Sequence, residues 1–306
     1  MSEFRSGFVV LAGRPNVGKS TLLNTLVGHK LSIVTPRPQT TRHRLIGLKN
    51  LPDAQIAFID TPGLHHGPRR GLNRAMNRTA SAALGDADVV LFLVEALRWT
   101  SEDAMALERI AEAARANPAS AGAARTVIAV VNKVDQVRPR ERLLPYLGAL
   151  AARHPFAEIV PVSAQKGDNL PELTRLIVQA LPVGEGMFPA DQLTDRSKNF
   201  RIAETIREKL SLELVEELPY GIAVEVESLT PTEDGRSEVS AVIWVDRRGQ
   251  KPIVIGAQGE RLRRVGRRAR LELNRAFGER FHLTLWVKVR EDWADDARAL
   301  RQLGVE

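Results

Sequence analysis

Gly13-Arg14-Pro15-Asn16-Val17-Gly18-Lys19-Ser20, followed by Thr21, has the spacing of a phosphate-binding loop, G-x-x-x-x-G-K-[ST]. Its glycines let backbone N–H groups approach phosphate oxygens, and the helix that follows favours negative charge at its start. Lys19 is of the length to reach a β- and γ-phosphate, and the Ser20 hydroxyl is a magnesium ligand in this pattern. Asp60-Thr61-Pro62-Gly63 offers a carboxylate for the same magnesium and, at Gly63, a backbone N–H for a γ-phosphate. In isolation DTPG is an ordinary Asp-capped turn; its order and spacing after the loop make it part of a site. Asn132-Lys133-Val134-Asp135 supplies base selection. A carboxylate at Asp135 accepts from both the ring N–H and the exocyclic amine of guanine, whereas adenine presents the opposite pattern. Ser163-Ala164 carries no information alone, but falls where a backbone N–H is needed opposite guanine O6.

These motifs need elements to hold them. Phe8–Ala12, Gln55–Ile59, Asp88–Val94, Thr126–Val131 and Glu158–Val162 are short, apolar and rich in β-branched residues, as buried strands are. Lys19–Val27, Asn73–Ala83, Glu102–Ala116, Glu141–Ala152 and Leu170–Leu181 have helical periodicity. The alternation predicts an α/β domain with a mostly parallel sheet covered on both faces. Leu45–Leu48 is an additional edge strand. Each motif then follows a strand, and ligands in such sheets bind at the carboxyl ends of strands.

The P-loop, DTPG, NKVD and SA sequences, in this order over about Gly7–Leu181, resemble the translation-factor-related GTPases. In that family, loss of the γ-phosphate releases two switch segments. Gln39-Thr40-Thr41-Arg42-His43 matches the switch threonine of the Era-like branch. By that match Thr41, with Thr40 as the second choice, binds magnesium and senses the γ-phosphate. Lys19, Thr41 and Gly63 are the implied catalytic contacts. Gly13 to Thr21, Asp60, Asn132, Lys133, Asp135, Ser163 and Ala164 are the implied nucleotide contacts. Position 64 is Leu, where Ras-like GTPases place a water-orienting Gln. Some relatives with an apolar residue there use potassium, positioned partly by a P-loop Asn, and Asn16 stands at that place; the alternative is that Asn16 only shapes the loop. No side chain is an evident general base, so slow, partner-stimulated turnover is expected.

The stretch Pro182–Pro189, PVGEGMFP, breaks the pattern and reads as a linker. The expected layout is a GTPase domain over 1–183, a linker over 184–192 and a second domain over 193–306. In that second part Asp195–Glu217 is helical, Ile222–Val226 and Glu238–Val245 alternate as strands, Pro252–Gly259 is a turn, Glu260–Phe277 is a helix and Phe281–Val289 a strand.

Charge separates the two halves. The 306-residue chain carries a formal net charge of +7, yet Gly249–Arg290 alone has eleven Lys and Arg against three Glu, so the remainder is near neutral. A concentrated basic block suits a polyanion. Ile255-Gly256-Ala257-Gln258-Gly259 places G-x-x-G before the Arg-rich helix. In the KH domains it resembles, this loop brings backbone close to four nucleotides. Leu262, Val265, Ala269, Leu273 and Ala276 form an apolar stripe, and Arg261, Arg264 and Arg268 a basic stripe beside the loop. The expected RNA contacts are Ile255 to Gly259 with those three arginines, in an α+β KH domain of type II.

One GTPase domain and one KH domain, with GRPNVGKSTLLN, QTTRHR, DTPGLH, REKL, ELPYG and VIGAQGERL, resemble the Era family of bacterial GTPases over nearly the whole chain. That resemblance implies GTP and GDP as ligands, magnesium as cofactor with potassium as a further candidate, and binding near the 3′ end of small-subunit ribosomal RNA. It also implies assistance in maturing the small ribosomal subunit, a monomer, and a cytoplasmic location with loose association at the inner membrane. An RNA-binding chaperone with incidental GTPase activity, and a membrane-surface signalling GTPase, are the alternatives.

Composition removes other classes. With no Cys, disulfides, thiolate nucleophiles and Cys-ligated zinc are excluded. No apolar run reaches the length of a membrane span, and Met1–Gly7 lacks the apolar stretch of a secretory signal. His65 and His66 lack a third ligand at metal spacing. Trp244 and Trp286 are expected to pack in strands, and Asp292–Arg301 to form a terminal helix.

Overall fold

The computed structural model describes residues 3–37, 40–62, 71–116, 126–214 and 218–302. Two compact units divide the chain. The first comprises 1–32, 41–68 and 76–195, the second 33–40, 69–75 and 196–306.

In the first unit, strands β1 (Arg5–Ala12), β2 (Leu45–Leu51), β3 (Ala54–Asp60), β4 (Val89–Glu95), β5 (Thr126–Asn132) and β6 (Glu158–Pro161) form one sheet. Their order is β2-β3-β1-β4-β5-β6. All neighbours are parallel except β2, which runs antiparallel to β3 at the edge. Val9 to Leu11, Ile56 to Ile59, Val89 to Val94 and Ala129 to Val131 are fully buried. Burial on both faces explains why these strands read as continuous apolar runs rather than as alternation. Helices α1 (Lys19–Val27), α2 (Gly71–Asp86, its residues before Met76 grouped with the second unit), α3 (Ser101–Ala116) and α4 (Leu143–Ala151) lie between strands, and α5 (Leu170–Ala180) follows β6.

The stretch expected as a linker is laid along the first unit. Ser6 Oγ donates to the Glu185 carbonyl at 2.5 Å, and Gln55 Oε1 accepts from the Met187 and Phe188 N–H groups at 2.6 and 2.9 Å. Leu48 N–H donates to the Leu193 carbonyl at 2.9 Å. Its Pro and Gly residues exclude regular structure, but its backbone polar groups still find partners.

In the second unit, β7 (Ile222–Pro231), β8 (Arg236–Val245) and β9 (Arg280–Val289) form a three-stranded sheet, with β8 antiparallel to β7 and parallel to β9. Helices α6 (Lys198–Glu213) and α8 (Glu260–Phe277) cover it, with α7 (Gln250–Ile255) before α8 and α9 (Ala297–Gln302) near the end. Ile202, Ile206 and Leu210 of α6 meet Val265, Ala269 and Leu273 of α8 over Val239, Ala241 and Ile243 of β8. Each fully buried Ile, Leu or Val among these contributes about 1.5–3 kcal/mol. Ala276, expected on the apolar stripe, is exposed.

Two expectations need correction here. Pro252–Gly259 is not simply a turn: α7 runs to Ile255, because Pro is tolerated near a helix start where its missing N–H costs nothing. The order is therefore helix–strand–strand–helix–helix–strand. The terminal helix is α9, shorter than Asp292–Arg301; Trp293 before it is buried and donates to the Gly221 carbonyl at 3.2 Å.

Val34 and Thr40 belong to this unit because α6 holds them. Arg207 and Glu208 are only 3% and 2% exposed. Arg207 Nη2 donates to the Thr40 carbonyl at 2.6 Å, and Glu208 Oε1 accepts from the Val34 N–H at 3.0 Å. Among the described residues no helix is long and apolar enough to cross a membrane.

Candidate functional site

The loop between β1 and α1 closes on Gly18, whose φ is +108°. A Cβ there would collide with the Asn132 side-chain amide. That amide fills the space instead, donating from Nδ2 to the Val17 carbonyl at 2.8 Å. Asn132 Oδ1 accepts from the Ala164 N–H at 3.0 Å. One side chain thereby ties the phosphate loop, NKVD and SA together. Of the Ser163–Ala164 pair, expected to offer a backbone N–H to guanine O6, the Ala164 N–H is engaged within the protein, as is the Ser163 N–H, which donates to the Asp168 carbonyl at 3.2 Å. Thr25 Oγ1 bonds the carbonyls of both Ala164 and Thr21, at 2.8 and 2.9 Å.

Lys19 lies over the loop, its Nζ donating to the Gly13 and Arg14 carbonyls at 2.9 Å each. Burial lowers its pKa to about 8, against the pull of Asp60. Asn16 is exposed in a left-handed conformation at φ 60°, beside a half-buried Pro15. Arg14 turns inward, away from the loop's rim.

Three oxygens converge beside the loop. Ser20 Oγ donates to Asp60 Oδ2 at 2.8 Å and lies 2.9 Å from Thr41 Oγ1, which is 3.3 Å from the same carboxylate oxygen. Thr40 faces elsewhere, its hydroxyl on Thr35 Oγ1 at 2.7 Å and the Arg37 carbonyl at 2.8 Å. Of the two threonines, only Thr41 stands with Ser20 and Asp60. Ser32, carrying no signal in the sequence, donates to Asp60 Oδ2 at 2.7 Å. Burial raises the Asp60 carboxyl despite these donors and Lys19. Its Oδ1 is buried with no hydrogen-bond partner. An orphaned carboxylate oxygen beside two hydroxyls suits a hard, oxygen-seeking cation such as magnesium.

Lys133 has φ 65° and its Nζ sits 3.2 Å from Glu95 Oε2. Asp135 is half-buried in the single 3-10 turn Val134–Gln136. Gly63, Leu64, His65 and His66 lie outside the described residues, as does Gln39.

In the second unit, Gly256 has φ 76° and ψ 171°. A Cβ on it would come within 2.7 Å of the Arg261 Cβ and 3.1 Å of the Arg261 backbone nitrogen. Glycine is required so that the loop can fold back on the helix it precedes. Ala257 and Gln258 are exposed at the tip, Gly259 begins α8, and Ile255 packs half-buried against the core.

Beside this loop runs a groove of about 500 Å³. Leu262, Leu283 and Leu285 give it apolar lining, Gly259 and Gly266 keep it open, and Arg263, Arg267, Arg270 and His282 border it. The expected basic stripe is elsewhere. Arg264 Nε and Arg268 Nη1 both bind the Glu213 carboxylate, Arg264 at 2.9 Å, and remain 50% and 54% exposed. Arg261 Nη1 bonds the Ile253 carbonyl, stitching α7 to α8. Counting from Gly259 in steps of three and four gives Leu262, Arg263, Gly266, Arg267 and Arg270, so the groove's face is present in the periodicity. Trp244 packs as expected, donating to Glu225 Oε2 at 2.9 Å, but Trp286 is 56% exposed.

Residues 8–133 match the family described as a 50S ribosome-binding GTPase, and residues 217–294 match the KH domain family. The chain is 46% identical to GTPase Era of Glaesserella parasuis over 298 residues, 97% of this chain and 96% of that protein. It is 48% identical to GTPase Era of Marinobacter nauticus over 303 residues, 99% and 96% of the two chains. Among solved structures, a single-residue variant of Aquifex aeolicus Era bound to GDP and aluminium fluoride superposes with a TM-score of 0.92 at 40% identity, covering 99% of both chains. An Era complex with MgGDPNP and nucleotides 1506–1542 of 16S ribosomal RNA superposes with the same TM-score of 0.92 and 40% identity, again over 99% of each chain. With its P-loop nucleotide site, its KH domain and this likeness over nearly its full length, the chain belongs to the Era family of GTPases.

Proposed function

We propose that this chain hydrolyses GTP as a molecular switch, and that it holds the 3′ region of small-subunit ribosomal RNA while that subunit is assembled. The observation that carries the reading is the convergence of the phosphate loop, the Ser20–Thr41–Asp60 oxygens and Asn132 at the carboxyl ends of β1, β3 and β5. The choice of RNA follows the relative solved with a 16S fragment. We assign the nucleotide chemistry to 1–183, the RNA contacts to 193–306 and the connection to 184–192. A chain serving ribosome assembly works in the cytoplasm.

Phosphoryl transfer needs positioning and charge stabilisation rather than covalent chemistry. Lys19 places its ammonium at the β- and γ-phosphates, and the loop's backbone N–H groups (all residues from Gly13 to Ser20 but Pro15) orient them. Ser20, Thr41 and Asp60 would hold magnesium, which neutralises phosphate charge when bound. Gly63 and Thr41 are assigned to the γ-phosphate, so that its loss frees both segments. Asp135 reads the guanine edge, with Lys133, Ser163 and Ala164 closing the pocket. Asn16, exposed at the rim of the loop, is offered to a potassium ion.

In the second domain, Ile255 to Gly259 present backbone to a single strand, whose bases enter the groove over Leu262, Leu283 and Leu285 while Arg263, Arg267 and Arg270 meet phosphates. Arg261, Arg264 and Arg268 add charge outside the groove.

The test is GTP turnover measured with an RNA carrying the small-subunit 3′ region. Saturating RNA should accelerate hydrolysis. No acceleration, with RNA still bound, would make the chain an RNA chaperone whose nucleotide is incidental. Binding to anionic vesicles that persists when the RNA groove is blocked would instead favour the membrane-surface reading.

A further inference from the structure

Arg14 lies inside the phosphate loop, yet its side chain is aimed into the protein and is only 5% exposed. Its Nη2 donates to Glu95 Oε2 at 2.5 Å, its Nε to Asp103 Oδ2 at 3.2 Å, and its Nη1 to the Pro15 carbonyl at 3.3 Å. Asp103 is fully buried and is oriented by the N–H and hydroxyl of Thr100, at 2.9 and 2.8 Å. The other cation on Glu95 is Lys133, whose Nζ lies 3.2 Å from the same oxygen, Oε2. Arg98 stands farther off at 3.9 Å and is largely solvated. The backbone around Glu95 is held too, since Tyr146 Oη donates to its carbonyl at 3.1 Å.

Topology explains the meeting. Strand β4 lies between β1 and β5, and Glu95 is its last residue. A side chain at that end stands between the loop following β1 and the motif following β5. Two cations from the two nucleotide-binding motifs would repel one another there; a carboxylate between them converts repulsion into a fixed spacing. Burial by itself would raise the Glu95 carboxyl, but the Arg14 hydrogen bond and the Lys133 charge outweigh it and hold it below the usual range. The carboxylate is therefore ionised throughout the neutral range.

We infer that Glu95 is a positioning residue for nucleotide binding, holding Lys133 of the guanine-reading motif at a set distance from the phosphate loop through Arg14. The inference rests on the guanine-nucleotide reading of this site. A nucleotide has its base and phosphates at a limited range of separations, so a site with that spacing already set loses less freedom on binding. The effect falls on how long the nucleotide stays rather than on how often it arrives.

The experiment measures release of a fluorescent GDP analogue from the full chain, comparing wild type, Glu95→Gln, Lys133→Ala and the double variant. Glu95→Gln keeps size and an acceptor for Arg14 but removes the charge that holds Lys133. Release should quicken about tenfold, with the association rate unchanged. In the Lys133→Ala background, adding Glu95→Gln should change release less than about twofold, because the carboxylate acts through that lysine. Glu95→Asp, which keeps the charge on a shorter arm, should fall between wild type and Glu95→Gln, and keeps the test open should Glu95→Gln not fold. Release from Glu95→Gln and Glu95→Asp at the wild-type rate would overturn the inference. So would effects of Glu95→Gln and Lys133→Ala that simply multiply, since a general loosening of the fold adds to any other lesion. Failure of the wild-type chain to bind the analogue would instead overturn the guanine-nucleotide reading itself.

Discussion

Two glycine-bounded loops among the described residues each lead straight into a helix, and their surroundings are opposite. The loop before α1 is tied down, with only Asn16 exposed at its rim: Gly18 is pressed by Asn132, Lys19 is buried, and Arg14 is turned inward onto Glu95 and Asp103. The loop before α8 is open: Ala257 and Gln258 are exposed, and Arg263 and Arg264 just after them stand in solvent. Both helices begin at a left-handed glycine with no side-chain cap, which leaves their first N–H groups to other acceptors. The first loop builds a rigid cradle around one ligand. The second, in the function proposed above, would offer charge and an apolar groove to a chain of nucleotides, where each contact is weak and many add up.

The sharpest way to break this comparison is Gly18→Ala. The new methyl meets both a left-handed backbone and the Asn132 amide, so GDP affinity should fall about 100-fold or more while RNA affinity is retained. Calorimetry with each ligand separates the two. Conversely, Ala257→Asp with Gln258→Asp places two negative charges at the exposed tip; gel-shift titration should show RNA binding lost, with GDP affinity unchanged.

A smaller effect distinguishes the arginines within the second loop's helix. Arg267→Glu with Arg270→Glu should weaken RNA binding by about tenfold and flatten its salt dependence. Arg264→Glu with Arg268→Glu should cost less, because those side chains already share Glu213. Equal losses would place the RNA across both faces of α8. Within the first loop, Asn16→Ala should abolish any preference of GTP turnover for potassium over sodium; equal wild-type turnover in both salts would remove potassium from the mechanism.

A prediction of a different kind concerns stability and Lys19. In the folded chain its ammonium loses its proton near pH 8, against 10.5 when unfolded. Between these values the unfolded chain binds more protons, so stability rises with pH across that window, and the burial cost is fully present below it. Thermal melts of the nucleotide-free chain should therefore show wild type gaining on Lys19→Met from about pH 8 upward.

Much of this architecture is legible in the chain alone. The strands of the first sheet announce themselves because residues buried on both faces must be apolar throughout, and the phosphate loop does so because its glycines answer local backbone demands. Helix α8 is equally plain from its apolar stripe at Val265, Ala269 and Leu273. Two points needed the folded chain: a choice between neighbours, where Thr41 stands as expected, and one misread turn. Whether Thr40 or Thr41 joins Ser20 and Asp60 depends on which of two adjacent side chains faces the site, and neighbours in sequence point in different directions. Pro252–Gly259 reads as a turn from its Pro and Gly, although the proline falls where a helix tolerates it.

What local sequence established, then, was backbone: the loops, the strands that end in them, and the helices that follow. Tertiary packing decided which side chains face which partners. Successive residues of a helix are turned by about 100°, so Arg263, Arg267 and Arg270 reach the groove while Arg264 and Arg268 are carried round to Glu213. Glu95 stands between Arg14 and Lys133 only because β4 lies between β1 and β5. No spacing along the chain expresses that order; it is a property of how the strands are arranged side by side.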